Sequence, residues 1–179
     1  MKIIDEILPE VFLISLKNSN DLRGKFVKTY NSKEVKDLDL DFIPKESYIS
    51  TSSLNVLRGM HYQIREYSYK KIVTCFKGKV LDVIVDVRPD SINFNKPVSY
   101  FLSEEKPEAI FIGKGYAHGF LSLTDSTIMS YMTSTVHAPK FDCGVLWSSI
   151  DFNWPIEKPI ISERDLLHPV IGKHKCEFF

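Results

Sequence analysis

The chain has 179 residues, its 23 Lys and Arg balance 23 Asp and Glu, and 44% of it is hydrophobic. That length predicts one domain over residues 1–179, and the apolar fraction supports a packed core rather than a disordered chain. Zero net charge excludes electrostatic capture of nucleic acid or of an anionic membrane.

Asp5 and Glu6 arrive before any apolar stretch of signal-peptide length, and no apolar run is long enough to cross a bilayer, so a cytoplasmic location is expected. Cys75, Cys143 and Cys176 are an odd, scattered set without CxxC spacing. They read as reduced thiols rather than as a zinc ribbon or disulfide framework.

In chain order, residues 11–16 are rich in β-formers. Residues 25–30 alternate, with Phe26 and Lys28 on one face and Val27 and Thr29 on the other. Asn31-Ser32-Lys33-Glu34 has the form of a capping box, which predicts a short helix to about Leu38. Residues 48–53 are β-compatible, and residues 73–76 lead into a Lys77-Gly78 turn. Leu81, Val83, Val85 and Val87 then share one strand face; Val80, Asp82, Ile84 and Asp86 share the other. From this pattern alone Asp82 and Asp86 are expected to face solvent. Residues 100–102, 109–112, 120–123 and 128–135 continue the strand character, with Met129 and Met132 read as core. A second short helix is expected after Ser162. Many short, closely spaced strands predict a β-sandwich or barrel.

Two stretches are dense in chemistry. Val56-Leu57-Arg58-Gly59-Met60-His61-Tyr62-Gln63 sets a cation, a flexible glycine and an imidazole within four residues. Gly113-Lys114-Gly115-Tyr116-Ala117-His118-Gly119-Phe120 surrounds His118 with glycines, which lets the backbone approach a ligand closely. His137 and His168 belong to neither motif and are read as surface residues.

Gly59-Met60-His61-Tyr62-Gln63 with Gly113-x-Gly115-x-x-His118 resembles a degenerate cupin pattern. In metal-binding cupins the first motif supplies His-x-His and then a carboxylate; here Gln63 and Lys71 stand at those positions. An amide is a poor substitute for imidazole and an ammonium repels a divalent cation, so no metal and no cofactor is expected.

A metal-free branch fits more closely. Arg23-Gly24-x-Phe26, Lys71-Ile72-Val73, Gly78-x-Val80-x-Asp82-Val83-x-Val85-Asp86-x-Arg88, Tyr131, Trp147, Trp154-Pro155 and Ser162-Glu163-Arg164-Asp165 join the two motifs in order. Together they resemble the dTDP-4-dehydrorhamnose 3,5-epimerases. The resemblance implies an all-β cupin, a double-stranded β-helix or jelly-roll barrel with a few short helices. It implies a homodimer with exchanged N-terminal strands, acting on a nucleotide-diphosphate 4-keto-6-deoxy sugar. It would supply a deoxy sugar to a surface polysaccharide or a glycosylated metabolite. By the same resemblance His61 is the general base, Asp165 its paired carboxylate, Tyr131 the acid on the opposite face and Lys71 the cation at the C4 oxygen. Arg23, Arg58, His118, Asp142 and Arg164 fall at substrate-binding positions, and Phe26, Lys28, Glu46 and Tyr48 at positions near the nucleotide.

The chemistry explains these residue types. A carbon acid beside a ketone is weak, and its enolate carries charge on the ketone oxygen, which a cation stabilises. An imidazole has a pKa of about 6.5, near working pH, and a carboxylate fixes its tautomer. Inversion needs a proton from the other face. Arg58 and Arg164 suit a pyrophosphate, which guanidinium grips in bidentate fashion.

The departures cluster at the nucleotide positions: Lys28 replaces a usual Glu, Glu46 a Gln and Tyr48 an Asn; Val136-His137 replaces an aromatic pair, and Asp142 replaces a Glu. A carboxylate at Glu46 matches the paired donors of guanine, so a GDP-linked hexose or heptose is the alternative carrier. Competing activities are a nucleotide-sugar 3,4-ketoisomerase and a non-catalytic sugar-nucleotide-binding cupin. Both centres, C3 and C5, are the expected sites of inversion.

Overall fold

A computed structural model describes residues 1–178. Its strands are Lys2–Leu8 (β1), Val11–Ser15 (β2), Lys17–Asp21 (β3), Gly24–Lys28 (β4), Glu46–Ser52 (β5), Leu57–Gln63 (β6), Lys71–Lys77 (β7), Lys79–Asp86 (β8), Val98–Ser103 (β9), Glu108–Ile112 (β10), Tyr116–Ser122 (β11), Thr127–Thr133 (β12) and Asp142–Gly144 (β13). Two short helices, Ser32–Asp37 (α1) and Glu163–Leu166 (α2), complete the regular structure apart from two single 3-10 turns. No helix among the described residues is long and apolar enough to cross a membrane.

The strands form a six-stranded sheet ordered β1-β2-β10-β7-β12-β5 and a five-stranded sheet ordered β13-β6-β11-β8-β9, with β3-β4 as a separate hairpin. All named pairings are antiparallel. The two larger sheets face each other across an apolar layer: Val11, Leu13, Val73, Ile110, Ile112 and Met129 from one side, Val80, Ile84, Leu102, Tyr116 and Phe120 from the other. This is the expected cupin jelly roll.

Each sheet is also covered on its outer face. Leu81, Val83 and Val85 point away from the barrel and pack beneath the C-terminal segment, with Trp147, Phe152 and Trp154 partly buried against them. Ile14, Ile72 and Phe111 lie under Val35 of α1 and the following Leu40 and Phe42, with Met132 partly buried at their edge. Burial of a large apolar side chain is worth roughly 1.5–3 kcal/mol, so layers on both faces make β7, β8 and β10 the anchor of the fold. The expected caps form: Asn31 accepts the Glu34 N–H at 3.0 Å, and Ser162 accepts the Asp165 N–H at 3.1 Å.

Two sequence expectations are corrected. Asp82 and Asp86 are fully buried, not solvent-facing. Asp86 is satisfied by its own turn, accepting from Arg88 Nε at 2.9 Å, Arg88 Nη2 at 2.6 Å and Ser91 Oγ at 2.6 Å. Asp82 faces into the barrel, where His118 meets it. The alternation of β8 was readable, but a layer covering its other face was not.

β6 carries the feature that shapes the interior. His118 pairs with His61 and Phe120 with Arg58, so β6 holds one residue more than β11 across this stretch. The bulge resets the alternation, and Arg58 and His61, three positions apart, both face inward. Gly59 makes it possible: its φ is +139°, and a Cβ there would lie 2.5 Å from the Gly119 Cα.

Candidate active site

The interior opens into a cavity of about 350 Å³. That volume is at the small end of ligand sites, which run from about 300 to 1,000 Å³, and it fits a sugar ring with the rest of a larger ligand at the mouth. Both sheets contribute walls: Glu46, Tyr48 and Ser50 of β5, Lys71 of β7 and Tyr131 of β12 from the six-stranded sheet, facing Arg58, His61 and His118 from the five-stranded sheet. Asp142 of β13 and Arg164 of α2 stand beside them.

His61 is the most organised group. Its Nε2 lies 2.8 Å from Asp165 Oδ1. The second carboxylate oxygen accepts the Gly59 N–H at 3.1 Å, so the strand bulge and the helix hold the acid from two directions. With Nε2 donating to Asp165, the tautomer assigned by the network leaves the Nδ1 lone pair as the basic one. Burial lowers the His61 pKa; Asp165 opposes this, and the nearby Arg164 and Lys71 charges add to the drop. The imidazole is therefore neutral and able to accept a proton at neutral pH. Burial pushes the Asp165 carboxyl up, but the His168 and His61 imidazoles and the Gly59 N–H hold it well below the usual carboxylate range.

Lys71 is buried, with Nζ 3.3 Å from the His61 carbonyl oxygen and 3.4 Å from Tyr69 Oη. Desolvation lowers its pKa to about 7, against the pull of Asp82 and Asp142. A lysine so shifted is a stronger proton and hydrogen-bond donor than one in water. The Tyr131 phenol is pushed far above its ordinary pKa by burial, which the Ser50 hydroxyl at 3.2 Å only partly offsets. It stays protonated at all working pH values. His118 Nε2 meets Asp82 Oδ2 at 2.8 Å in a second, deeper imidazole–carboxylate pair. Arg58 is aimed by Ser52 Oγ at 3.0 Å and the Thr51 carbonyl at 3.0 Å. Arg164 pairs with Asp142 at 2.6 Å.

Of the sequence-derived residues, His61, Lys71, Tyr131 and Asp165 come together, with Arg58, His118, Asp142, Arg164, Glu46 and Tyr48 around them. Arg23, Phe26 and Lys28 do not line this cavity: they sit on the β3-β4 hairpin, where Arg23 forks onto Asp21 at 2.6 Å and Phe26 is exposed. Tyr48, expected near the nucleotide, lines the cavity and stacks on Tyr131 with ring centroids 4.8 Å apart and an interplanar angle of 17°. His137 is exposed, as read from the sequence, and also lines the cavity, where its backbone N–H donates to the Glu46 carboxylate. His168, also read as surface, is largely buried beside Asp165. Ser50 and Tyr69 were missed altogether. Each lies two residues from a cavity residue along extended chain, which puts it on the same side.

His61, Asp165 and His168 bring three ligand atoms within 4.8 Å of one another. A divalent ion there would break the His61–Asp165 bond and sit beside the Arg164 and Lys71 charges that already act on His61. Electrostatics does not favour it.

A two-sheet jelly roll with an imidazole–carboxylate pair on one wall and a protonated phenol on the other defines a cupin equipped for proton transfer at carbon. Residues 5–172 match the family described as dTDP-4-dehydrorhamnose 3,5-epimerase, and the chain belongs to that family of isomerases. A dTDP-4-dehydrorhamnose 3,5-epimerase of Shigella flexneri is 36% identical over 171 residues, covering 93% of each chain. Among solved structures, a dTDP-6-deoxy-D-glucose-3,5-epimerase from Legionella pneumophila, in complex with dTDP-4-keto-L-rhamnose, superposes with a TM-score of 0.92 at 26% identity, over 99% of this chain and 98% of that one. A 3'-monoepimerase from Streptomyces bikiniensis, in complex with dTDP-quinovose, gives 0.87 at 26% identity, over 96% and 88%.

Proposed function

We propose that the protein inverts carbon centres adjacent to the C4 ketone of a dTDP-linked 4-keto-6-deoxy sugar. The observation that carries this reading is the placement of His61–Asp165 on the five-stranded sheet and Tyr131 on the six-stranded sheet, across one cavity. A sugar ring between the sheets presents opposite faces to the two groups. His61 Nδ1 takes the proton from carbon, and its charge is balanced by Asp165. Lys71 donates to the ketone oxygen as negative charge develops there. Tyr131 delivers a proton from the other face, and the resulting phenolate recovers one from solvent. Arg58 and Arg164 bind the pyrophosphate, Arg164 exchanging Asp142 for phosphate oxygens.

The carrier is dTDP, as in the relatives' names. Glu46, the residue that suggested guanine, holds the His137 backbone and so has a local role. Parallel turnover of dTDP- and GDP-linked substrates tests this, with preference for GDP overturning it.

The active form is a homodimer. The β3-β4 hairpin forms no sheet with the rest of the chain and exposes Leu22 and Phe26, and Ile3 and Ile4 are exposed on the edge strand β1. A hairpin so placed carries Arg23, Phe26 and Lys28 to a second copy's cavity.

Solvent deuterium entry is the decisive assay. Incubated in D2O with the 4-keto substrate, the enzyme is expected to place deuterium at C3 and C5, read by proton NMR. No incorporation at either carbon overturns the reading; incorporation at C3 alone makes it a monoepimerase. A carbonyl shifted to C3 in the product identifies a ketoisomerase.

A further inference from the structure

His168 is held in place by design of the surrounding chain. It follows α2 by two residues, and its ring fills the space above Gly144 of β13, where a Cβ would lie 2.4–2.7 Å from three ring atoms. Its side chain is 11% exposed, and Nε2 is buried with no hydrogen-bond partner at ordinary distance. The nearest charged atom is Asp165 Oδ1 at 3.6 Å, the same oxygen that His61 engages at 2.8 Å. The His61 and His168 rings meet edge to face, with centroids 5.6 Å apart at 74°.

From this geometry we infer that His168 is a positioning residue of the epimerisation, a second imidazole on Asp165 that weakens the carboxylate's hold on His61. The inference rests on the reading of His61 as the base.

Asp165 Oδ1 thus faces two imidazole nitrogens, one bonded at 2.8 Å and one unpartnered at 3.6 Å. A buried ring nitrogen without a partner is unfavourable, and a proton on His168 Nε2 faces Oδ1 of Asp165, the only carboxylate within 4 Å of it among the described residues. Electron density drawn from Oδ1 by His168 is unavailable to His61. An Oδ1 facing His61 alone would bind the His61 imidazolium more tightly and raise its pKa. With two donors the base stays neutral to lower pH and gives up its proton more readily after each turnover, as a base that must reset requires. The charged and titratable groups around the pair are Asp165 and Arg164 on α2, His61 on β6, Asp142 on β13 and Lys71 on β7. Arg164 and Lys71 lower the His61 pKa, the direction this inference assigns to His168; Asp165 acts against them.

The experiment is the pH dependence of kcat/KM for wild type, His168→Ala and His168→Gln. His168→Ala should move the acid limb to higher pH by about half a unit to one unit, the scale of one neighbouring dipole or charge. His168→Gln, which can return an N–H to the same place, should keep the wild-type limb. An acid limb unmoved in His168→Ala overturns the inference, whatever happens to kcat, because a packing role lowers activity without moving a titration. Should His168→Ala fail to fold, nitrogen-15 NMR of the wild-type imidazoles decides instead. A proton on His168 Nε2 supports the inference, and a proton on Nδ1 alone overturns it. Failure of the wild type to exchange deuterium would strike the proposed function and leave the NMR test standing.

Discussion

The cavity contains two imidazole–carboxylate pairs of equal length, His61–Asp165 and His118–Asp82, each at 2.8 Å. Distance does not tell them apart; their settings do. His61 is 29% exposed toward the cavity and reaches from a strand bulge to a helix. His118 and Asp82 are buried on neighbouring strands of one sheet, at 4% and 0% exposure, with His118 against the Tyr131 ring at 6.3 Å. A pair at a cavity wall can load and unload a proton. The deeper pair acts mainly as scaffold, because burial lowers the His118 pKa and so opposes charging its imidazole.

The largest contrast is expected from deleting each imidazole. His61→Ala should lower kcat by at least about 100- to 10,000-fold, the usual contribution of general base catalysis, with little change in thermal stability. His118→Ala should cost stability instead, about 3–5 kcal/mol, since it strands Asp82, whose Oδ1 already has no hydrogen-bond partner. Deuterium exchange and thermal melts on both variants test the distinction. A His118 variant that melts like wild type but cannot exchange would reverse the two roles.

Tyr131→Phe comes next. Proton removal by His61 continues without the phenol, while delivery from the other face does not. The expected result is deuterium exchange with retention, and net inversion slower by about 100-fold or more. Equal loss of exchange and inversion would place Tyr131 in proton removal as well.

Lys71 acts on the imidazoles of both pairs and separates function from stability. Lys71→Met should abolish enolate stabilisation yet raise stability by about 1–3 kcal/mol, because it removes a buried ammonium. The pH dependence of the wild type carries the same sign. With a folded pKa of about 7 against an ordinary 10.5, the unfolded chain binds more protons over that interval. Stability from this group therefore rises as pH climbs from about 7 to 10.5, while kcat/KM in the free enzyme falls on the same side as the ammonium is lost. A melt that weakens across this interval only in the wild type would contradict the burial argument.

Much of this was legible in the sequence, for identifiable reasons. The alternation of β8 placed Leu81, Val83 and Val85 together because side chains alternate along any strand, and both short helices announced their caps in Asn31 and Ser162. The motif order named His61, Lys71, Tyr131 and Asp165. What remained hidden depends on long-range placement. β3, with sequence KNSND, is polar throughout and exists because β4 pairs with it. Burial of Asp82 depends on a second sheet closing over β8. Arg23, Phe26 and Lys28 lie on a hairpin whose direction no local pattern encodes. His168 carries no motif, and Gly144, the residue that makes room for it, lies 24 positions earlier in sequence.

The smallest expected effect concerns Tyr48, which tests how far the sealed pair's neighbourhood extends. Tyr131 meets the His118 ring edge to face and stacks on Tyr48, with Ser50 holding its hydroxyl. Offset aromatic stacking is worth about 0.5–1.5 kcal/mol beyond area burial, which corresponds to a few-fold change in how well the phenol is held. Tyr48→Ala should therefore reduce net inversion about 2- to 10-fold while leaving deuterium exchange by His61 almost untouched. Tyr48→Phe keeps the stacked ring and should behave as wild type. If Tyr48→Phe instead weakens dTDP binding, the Tyr48 hydroxyl contacts the nucleotide, as the sequence alone had placed it, and the stack is incidental.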